Sequence, residues 1–144
     1  MSNNVIENQW SIIDLPVIFD HRGNLISIEG KTSLPFPIER IYYLFDVPSG
    51  SSRGAHAHYN LKQLIIAISG SFQVRLENQA GQQDFFLSRP NKGLLVGPMT
   101  WREIDNFSGG AVCLVLASMP YDESDYIRDY SEFLRLAKKH DSLL

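Results

Sequence analysis

Two of the four histidines stand two residues apart, at His56 and His58. On an extended strand, residues with this spacing project from the same face, so the two imidazoles lie side by side. An imidazole has a reference pKa of about 6.5 and both accepts and donates protons at neutral pH. The pair therefore predicts a site for general acid–base chemistry.

The histidines belong to a longer pattern, Gly-x5-His-x-His-x4-Gln-x6-Gly, which runs from Gly50 to Gly70 and places Gln63 at its polar position. This pattern resembles the first motif of the cupin superfamily, whose usual form has Glu in place of Gln63. The resemblance implies an all-β fold, a cupin (RmlC-like) jelly-roll β-barrel that holds its ligand in the open mouth.

The metal-binding members of that superfamily use the motif's Glu and a third His from a second motif. In this chain the second motif spans Gly93–Glu103 and carries Arg102 or Glu103 at the His position. The neutral Gln63 also removes charge that a divalent cation needs. We expect a pocket that works without a metal or other cofactor. A catalytic metal and purely structural histidines are the alternatives.

Further segments extend the resemblance from about Asp14 to Phe133. Together they are similar to the cupin-type nucleotide-sugar 3,4-ketoisomerases, the WxcM-like C-terminal domain family. The resemblance implies that a TDP-linked 4-keto-6-deoxyglucose is converted into its 3-keto isomer, in deoxyamino-sugar biosynthesis for surface glycans. The segments that carry it are Asp20–Leu25, Arg40–Asp46, Arg53–His58, Val96–Pro98 with Trp101, and Tyr121–Arg128.

Such a keto shift needs a base to remove the C3 proton and an acid to protonate C4, with no redox cofactor. The family's His-x-His falls on His56 and His58. We expect His58 to be the principal base and His56 its proton-handling or orienting partner. Two alternatives are a 3,5-epimerase acting on the same substrate and a non-catalytic cupin that only binds a sugar or nucleotide.

The segment Arg40–Val47 alternates between two faces. We expect the more apolar face to point inward, which makes Tyr43 the phenol that reaches the pocket and binds or protonates sugar oxygens. Tyr42 is the fallback, and a core aromatic role is the other interpretation of Tyr43. The face expected to be inward carries Ile41, Tyr43, Phe45 and Val47.

A nucleotide diphosphate also needs cations, and arginine binds phosphate oxygens bidentately. We assign Arg22 and Arg53 to diphosphate or sugar contacts, against the alternative of surface ion pairing. Arg102, Trp101 and Gln63 complete the predicted substrate-binding set. Arg102 stands where relatives commonly carry His, which leaves open its role and the C4 configuration of the product. Trp101 either stacks on the thymine ring or seals the barrel mouth.

Short apolar runs separated by Gly, Pro, Asn and Ser predict one β-rich domain over residues 1–144. After Pro120 the apolar spacing becomes helical and predicts an amphipathic helix over about 123–140, packed on the outside of the barrel. The predicted strands are Leu25–Glu29, Arg40–Val47, Gln63–Ile68, Ser71–Glu77, Asp84–Leu87, Gly93–Val96, Trp101–Asn106 and Ala111–Ala117.

The composition excludes several classes of partner. The net charge is −3 and no basic run is present, so nucleic-acid binding is not expected. The longest apolar run, Ala111–Ala117, is too short to cross a membrane, and the first residues lack a secretory signal, which makes the cytoplasm the expected compartment. The single cysteine, Cys113, lies in that run and is expected to be a buried small hydrophobe.

The N-terminal segment Val5–Val17 carries Trp10, Ile12 and Ile13. A barrel of this size has sheet edges that need covering, and these apolar residues are suited to a partner's sheet. The family resemblance implies a homodimer with exchanged N-terminal strands.

Overall fold

The computed structural model describes residues 10–30 and 32–142, which form twelve β-strands, one 3-10 turn and one α-helix. The strands are β1 Trp10–Asp14, β2 Val17–Ile18, β3 Leu25–Ile26, β4 Arg40–Leu44, β5 Arg53–His58, β6 Gln63–Ser69, β7 Phe72–Asn78, β8 Gly81–Leu87, β9 Lys92–Val96, β10 Trp101–Asp105, β11 Val112–Ala117 and β12 Tyr126–Ile127. The 3-10 turn is Glu123–Asp125 and the helix, α1, is Tyr130–Ser142.

Ten of these strands form two five-stranded antiparallel sheets. The first sheet has the order β1-β9-β6-β11-β4 and the second has the order β12-β5-β10-β7-β8, while β2 and β3 form a separate hairpin. The two sheets face one another, and their inner faces supply the main apolar core. The predicted all-β jelly roll with one C-terminal helix is confirmed.

Alternation along the strands builds this core. In β7, Phe72, Val74 and Leu76 are fully buried between the sheets while the residues between them are half-buried. Cys113 on β11 belongs to the same core, and burial raises the pKa of its thiol to about 12. Its predicted place as a small buried hydrophobe is confirmed.

The predicted helix over 123–140 is wrong at its start. The side chain of Asp122 accepts a hydrogen bond from the Ser124 N–H and starts the 3-10 turn, after which Tyr126 and Ile127 pair with β5. The open edge of β5 has free backbone N–H and C=O groups, and these would stay unpaired if this segment were helical. The helix begins only at Tyr130, where the Asp129 carboxylate caps it by accepting hydrogen bonds from the backbone N–H groups of Ser131 and Glu132.

The strand prediction near residue 25 is too long, since pairing covers only Leu25–Ile26. Apolar side chains of residues 15–30 and 32–38 instead pack across the outer face of the first sheet and form a second apolar cluster there with Ile66 and Leu116. This cover stops short of β4, where the outward side chains of Ile41 and Tyr43 remain 59% exposed. The first sheet therefore has one covered and one open region on its outer face.

The N-terminal strand completes the edge of the first sheet. β1 pairs with β9 of the same chain in a register that sets Trp10 opposite Val96. Residues 5–9 of the segment expected to exchange lie outside the described residues. Within the described part of the chain, no helix is long and apolar enough to span a bilayer.

Candidate active site

A cavity of about 530 Å³ opens where β4, at the edge of the first sheet, approaches β5 and β10 of the second. The segment after Pro120 closes its third side. Arginine and tyrosine dominate the lining, in contrast to the apolar core beside it. The lining residues are Arg40, Ile41, Tyr42, Leu44, Arg53, Gly54, Ala55, His56, Arg102, Tyr121, Tyr126 and Arg128.

A bulge in β5 shapes one wall. Arg102 of β10 lies opposite His56, but Ile104, only two residues on, lies opposite Arg53, so β5 carries one extra residue. Gly54 has φ +71, and a Cβ there would lie 3.3 Å from Nη2 of Arg102. Glycine is therefore required both for the backbone conformation and for the close approach of this guanidinium.

The two histidines lie next to each other on β5, as their spacing predicts. Their ring centroids are 4.8 Å apart and the rings are perpendicular. His56 is 7% exposed and lines the cavity, whereas His58 is 3% exposed and lies behind that lining. The ring of Tyr126 packs against both, at 4.9 Å and 4.3 Å between centroids.

A directed chain of hydrogen bonds starts from Arg102. Its Nη2 donates to the hydroxyl of Tyr42 at 2.9 Å, and that hydroxyl donates to Oε1 of Gln63 at 3.4 Å. Nη2 and Nε of Arg102 also lie 3.2 Å and 3.4 Å from Nε2 of His56. Because a guanidinium only donates, Nε2 of His56 is an acceptor and the neutral ring carries its proton on Nδ1.

His58 has a different partner. Its Nδ1 lies 3.2 Å from Oδ2 of Asp125, and both side chains are buried. The backbone N–H groups of Asn60 and Leu61 also donate to this carboxylate, at 2.9 Å and 3.2 Å. The second ring nitrogen of His58, Nε2, is buried and has no hydrogen-bond partner.

Burial and a neighbouring cation keep both rings neutral. Burial, followed by the charge of Arg102, lowers the pKa of His56 from 6.5 to about 2. The same two causes lower the pKa of His58 to about 4, although the Asp125 carboxylate acts in the opposite direction. Each ring therefore presents a lone pair rather than a positive charge at neutral pH.

Arg102 is a buried cation at 2% exposure. None of the ion pairs found in the described part of the chain involves it, and its Nη1 is buried without a hydrogen-bond partner. A buried charge without a counter-ion is costly unless an anion completes its surroundings. The cavity is therefore suited to a negatively charged ligand.

Further arginines surround the opening. Arg128 forms a two-point ion pair with Glu123, at 2.7 Å and 2.9 Å, and lies over the ring of Tyr126. Arg40 lies between the rings of Tyr42 and Tyr121. The sequence analysis does not place Arg128 in the site because it predicts a helix there, and it does not place Arg40 there because it expects the other face of β4 to point inward. The alternation of Tyr126 and Arg128 was the signal for a strand facing the cavity.

The predicted facing of β4 is wrong. Tyr43 points away from the cavity and is 59% exposed, while Tyr42 reaches Arg102. The inner face here is the more polar one because it lines a site rather than the core. Asp46 has φ +55, which ends the alternation and returns Val47 to the core.

Two other predicted contacts are not brought to this cavity. Trp101 is 6% exposed and packs beneath α1, against Tyr130 and Phe133 at 5.3 Å and 5.6 Å. It neighbours the inward Arg102 on β10 and so points to the opposite face, away from this cavity. Arg22 lies on the exposed hairpin and forms a bidentate pair with Asp20, outside the cavity of its own chain.

Arg53 and Arg102 line the cavity as predicted, and Gln63 lies one layer deeper, beneath Tyr42. The family model described as FdtA, "WxcM-like, C-terminal", matches residues 8–138. The chain belongs to this FdtA family. The expected resemblance is confirmed.

Relatives of this FdtA-family chain have named activities. This chain is 42% identical over 128 residues to TDP-4-oxo-6-deoxy-α-D-glucose-3,4-oxoisomerase of Aneurinibacillus thermoaerophilus. The matched residues cover 89% of this chain and 92% of that protein. A mutant of the 3,4-ketoisomerase QdtA from Thermoanaerobacterium thermosaccharolyticum, in complex with TDP-4-keto-6-deoxyglucose, matches with TM-score 0.89 and 41% identity, covering 92% of this chain and 96% of QdtA.

The WlaRB TDP-quinovose 3,4-ketoisomerase of Campylobacter jejuni matches with TM-score 0.85 and 47% identity, covering 89% of this chain and 98% of that one. The expected enzyme class, an isomerase of the 3,4-ketoisomerase type, is confirmed by these relatives.

Proposed function

We propose that the chain converts TDP-4-keto-6-deoxyglucose into the TDP-linked 3-keto-6-deoxy hexose, in the biosynthesis of deoxyamino sugars. The observation that carries this proposal is the cavity itself, where a neutral imidazole at His56 lies beside the buried guanidinium of Arg102. A base next to a fixed cation is suited to a reaction that removes a proton and creates an oxyanion.

The isomerisation proceeds through an enediol. The base takes the C3 proton, the C–H electrons form the C3–C4 double bond, and the carbonyl electrons move to O4. O4 takes a proton, which completes the enediol. The O3 proton then leaves, its O–H electrons form the new carbonyl at C3, and the electrons of the C3–C4 double bond take a proton at C4. No electron leaves the substrate, so the reaction needs no redox cofactor.

We assign removal of the C3 proton to His56 rather than to His58, which reverses the roles expected from the sequence. His56 lines the cavity and His58 does not. Nε2 of His56 accepts a hydrogen bond from Arg102, so the guanidinium must turn to the substrate before the base accepts a proton. Arg102 then stabilises the enediolate oxygen, and the hydroxyl of Tyr42, held by Gln63, is the phenol that reaches the sugar.

The diphosphate is assigned to the arginines at the opening. Arg53 and Arg40 line the cavity and, in the described residues, neither forms an ion pair with a carboxylate, whereas Arg128 is already paired with Glu123. Arginine without a counter-ion gains most from a phosphate group. Because Arg22 is paired with Asp20 outside the cavity, we assign it no contact with substrate bound in its own chain.

A metal-free mechanism accords with the donor set. Nε2 of His56, which a metal would need, faces the guanidinium of Arg102, and Gln63 supplies no negative charge. Turnover is expected to survive exhaustive dialysis against EDTA. Loss of turnover that one added divalent ion restores would overturn this part of the proposal.

One proton NMR time course in D₂O tests the activity. With TDP-4-keto-6-deoxyglucose and purified protein, the 3-keto product is expected to appear with deuterium at C4, because that carbon is protonated by a group in exchange with water. Raised thermal stability on adding substrate, with no product, would identify a binding protein instead. A change of configuration at C3 or C5 with the carbonyl still at C4 would identify an epimerase.

We also propose that the enzyme is a homodimer with exchanged N-terminal strands. The open region on the outer face of the first sheet carries Ile41, Tyr43 and Ile68, each between 47% and 59% exposed, and a second copy would cover it. Exchange would place β1 on the partner's β9 in the register seen here within one chain.

Paired cysteines distinguish exchange from pairing within a chain. Ser11 lies opposite Leu95 across the β1–β9 ladder, so Ser11→Cys with Leu95→Cys places two thiols on one face. Oxidation of an exchanged dimer is expected to give a covalent dimer on non-reducing gels. If a dimeric sample forms the disulfide within single chains, the strands are not exchanged. If the protein sediments as a monomer at micromolar concentration, it is not a dimer.

A further inference from the structure

Asp125 is a buried carboxylate that the proposed reaction has not yet used. It is 5% exposed, and three N–H donors converge on its two oxygens, from Asn60, Leu61 and the ring of His58. Its backbone is held as well, because its carbonyl accepts from Tyr59 and its N–H donates to the carbonyl of Asp122. The carboxylate is therefore fixed in position against His58.

This geometry determines which nitrogen of His58 carries the proton. A carboxylate only accepts, so Nδ1 of the neutral ring must be the protonated nitrogen and Nε2 must hold the lone pair. The Nε2 atom is buried and has no hydrogen-bond partner, which is costly for a polar atom unless the site uses it. The ring of His58 lies against the ring of His56, the base proposed above.

We propose that Asp125 is a positioning residue for the isomerase, which holds His58 in the Nδ1–H tautomer and thereby keeps Nε2 available to accept a proton. This inference rests on the proposed function. It goes beyond the His-x-His pair by adding a carboxylate 67 positions away in the chain that selects the tautomer.

An asparagine cannot replace this carboxylate. Placing NH₂ at the Oδ2 position would set it against Nδ1 of His58 and the N–H of Leu61, and placing it at Oδ1 would set it against the N–H of Asn60. In the first orientation the amide donates to Nδ1, and the His58 proton moves to Nε2. The second orientation would keep the Nδ1–H tautomer, but it sets NH₂ against the Asn60 N–H, whose contact is the shorter one, at 2.9 Å against 3.2 Å for Leu61. We therefore expect the first orientation, in which Asp125→Asn converts the lone pair at Nε2 into a donor.

The first experiment reads the tautomer directly. Long-range ¹⁵N–¹H correlation spectra of the wild type at neutral pH are expected to show His58 as the Nδ1–H tautomer, with the signals assigned from a His58→Gln sample. This measurement needs no Asp125 variant and no substrate. An Nε2–H tautomer in the wild type would overturn the proposal.

The second experiment compares two carboxylate variants. Asp125→Asn is expected to shift His58 to the Nε2–H tautomer and to lower kcat by roughly tenfold to a thousandfold with little change in KM. Asp129→Asn is the matched control, since Asp129 also accepts two backbone N–H groups in this segment and has no hydrogen bond to a histidine among the described side chains. It is expected to lower the melting temperature without changing kcat or the tautomer.

The results separate the two proposals. If wild-type protein does not isomerise the substrate, the proposed function fails while the tautomer measurement still decides the role of Asp125. If the wild type is active and Asp125→Asn keeps its kcat within twofold with His58 still protonated at Nδ1, Asp125 only anchors its segment. A change in melting temperature alone, with both readouts intact, leads to the same conclusion.

Discussion

The two faces of β4 differ in a way that hydrophobicity alone does not predict. The inner face presents Arg40 and Tyr42 to the cavity, while the outer face presents Ile41 and Tyr43 to solvent. An apolar face marks a surface to be covered, and in an isolated chain that surface is not always the barrel interior. The polar inner face lines the site, and the apolar outer face is the one that we propose a second copy covers.

The largest expected effect comes from removing the proposed base on the inner side. His56→Asn keeps a polar side chain but no basic nitrogen, so kcat should fall by about 10²–10⁴-fold with KM nearly unchanged. Steady-state kinetics with His21→Asn as control, which removes an exposed imidazole, checks this. A kcat within tenfold of wild type would remove His56 from the chemistry.

The most direct test of the comparison uses two neighbouring tyrosines. Tyr42→Phe removes the hydroxyl that joins Arg102 to Gln63 and should lower kcat/KM roughly ten- to a hundredfold, since a hydrogen bond to a charged group contributes about 1.5–3 kcal/mol. Tyr43→Phe removes the same atom from the outer face and should stay within twofold. The opposite ranking would show that the faces have been assigned the wrong way round.

A smaller effect is expected at the opening of the cavity. Arg53→Ala should raise KM about tenfold and change kcat less, because a phosphate contact is made equally in the ground and transition states. Arg75→Ala is the control, since Arg75 pairs with Asp84 on the far strands of the second sheet. Equal KM values for the two variants would place the diphosphate elsewhere.

Acid stability changes no rate constant and tests burial rather than turnover. The folded-state pKa values of about 2 for His56 and about 4 for His58 lie below the ordinary value of 6.5. As the pH falls below 6.5, the unfolded chain binds protons that the folded chain does not, so the free energy of unfolding decreases towards pH 4.

Each buried ring adds to the pH dependence of the free energy of unfolding a slope that approaches about 1.4 kcal/mol per pH unit. Urea unfolding between these pH values should therefore show a shallower dependence in His58→Asn than in the wild type. Identical slopes in the two proteins would mean that His58 titrates in the folded state as it does in the unfolded chain.

The positions of most strands in the core were predictable because alternation and glycine-containing turns are local signals. Six of the eight predicted strands, from Gln63–Ile68 to Ala111–Ala117 and including Ser71–Glu77, match observed strands to within one residue at most ends. The prediction failed where tertiary pairing outweighs local preference. Tyr126 and Ile127 have helical spacing to the residues that follow, yet the free edge of β5 holds them as a strand.

The site was predictable where one motif carries it and not where distant segments meet. His56 and His58 follow from their spacing alone. Asp125 lies in the segment predicted as helix, and nothing local shows that the chain folds back there onto the turn after His58. The packing of Trp101 against Phe133 was not predictable, because a large aromatic beside a predicted site is equally suited to the core under a helix.

The attachment of the C-terminal segment has a consequence for how the enzyme loses activity on heating. This segment supplies Asp125, Tyr126 and Arg128 to the site, yet β12 joins it to the second sheet through only two residues. Short pairings at a sheet edge open more readily than the strands of the core. Amide protons of β12 should therefore exchange with solvent before those of β7, and catalytic competence should disappear from a barrel that is still folded.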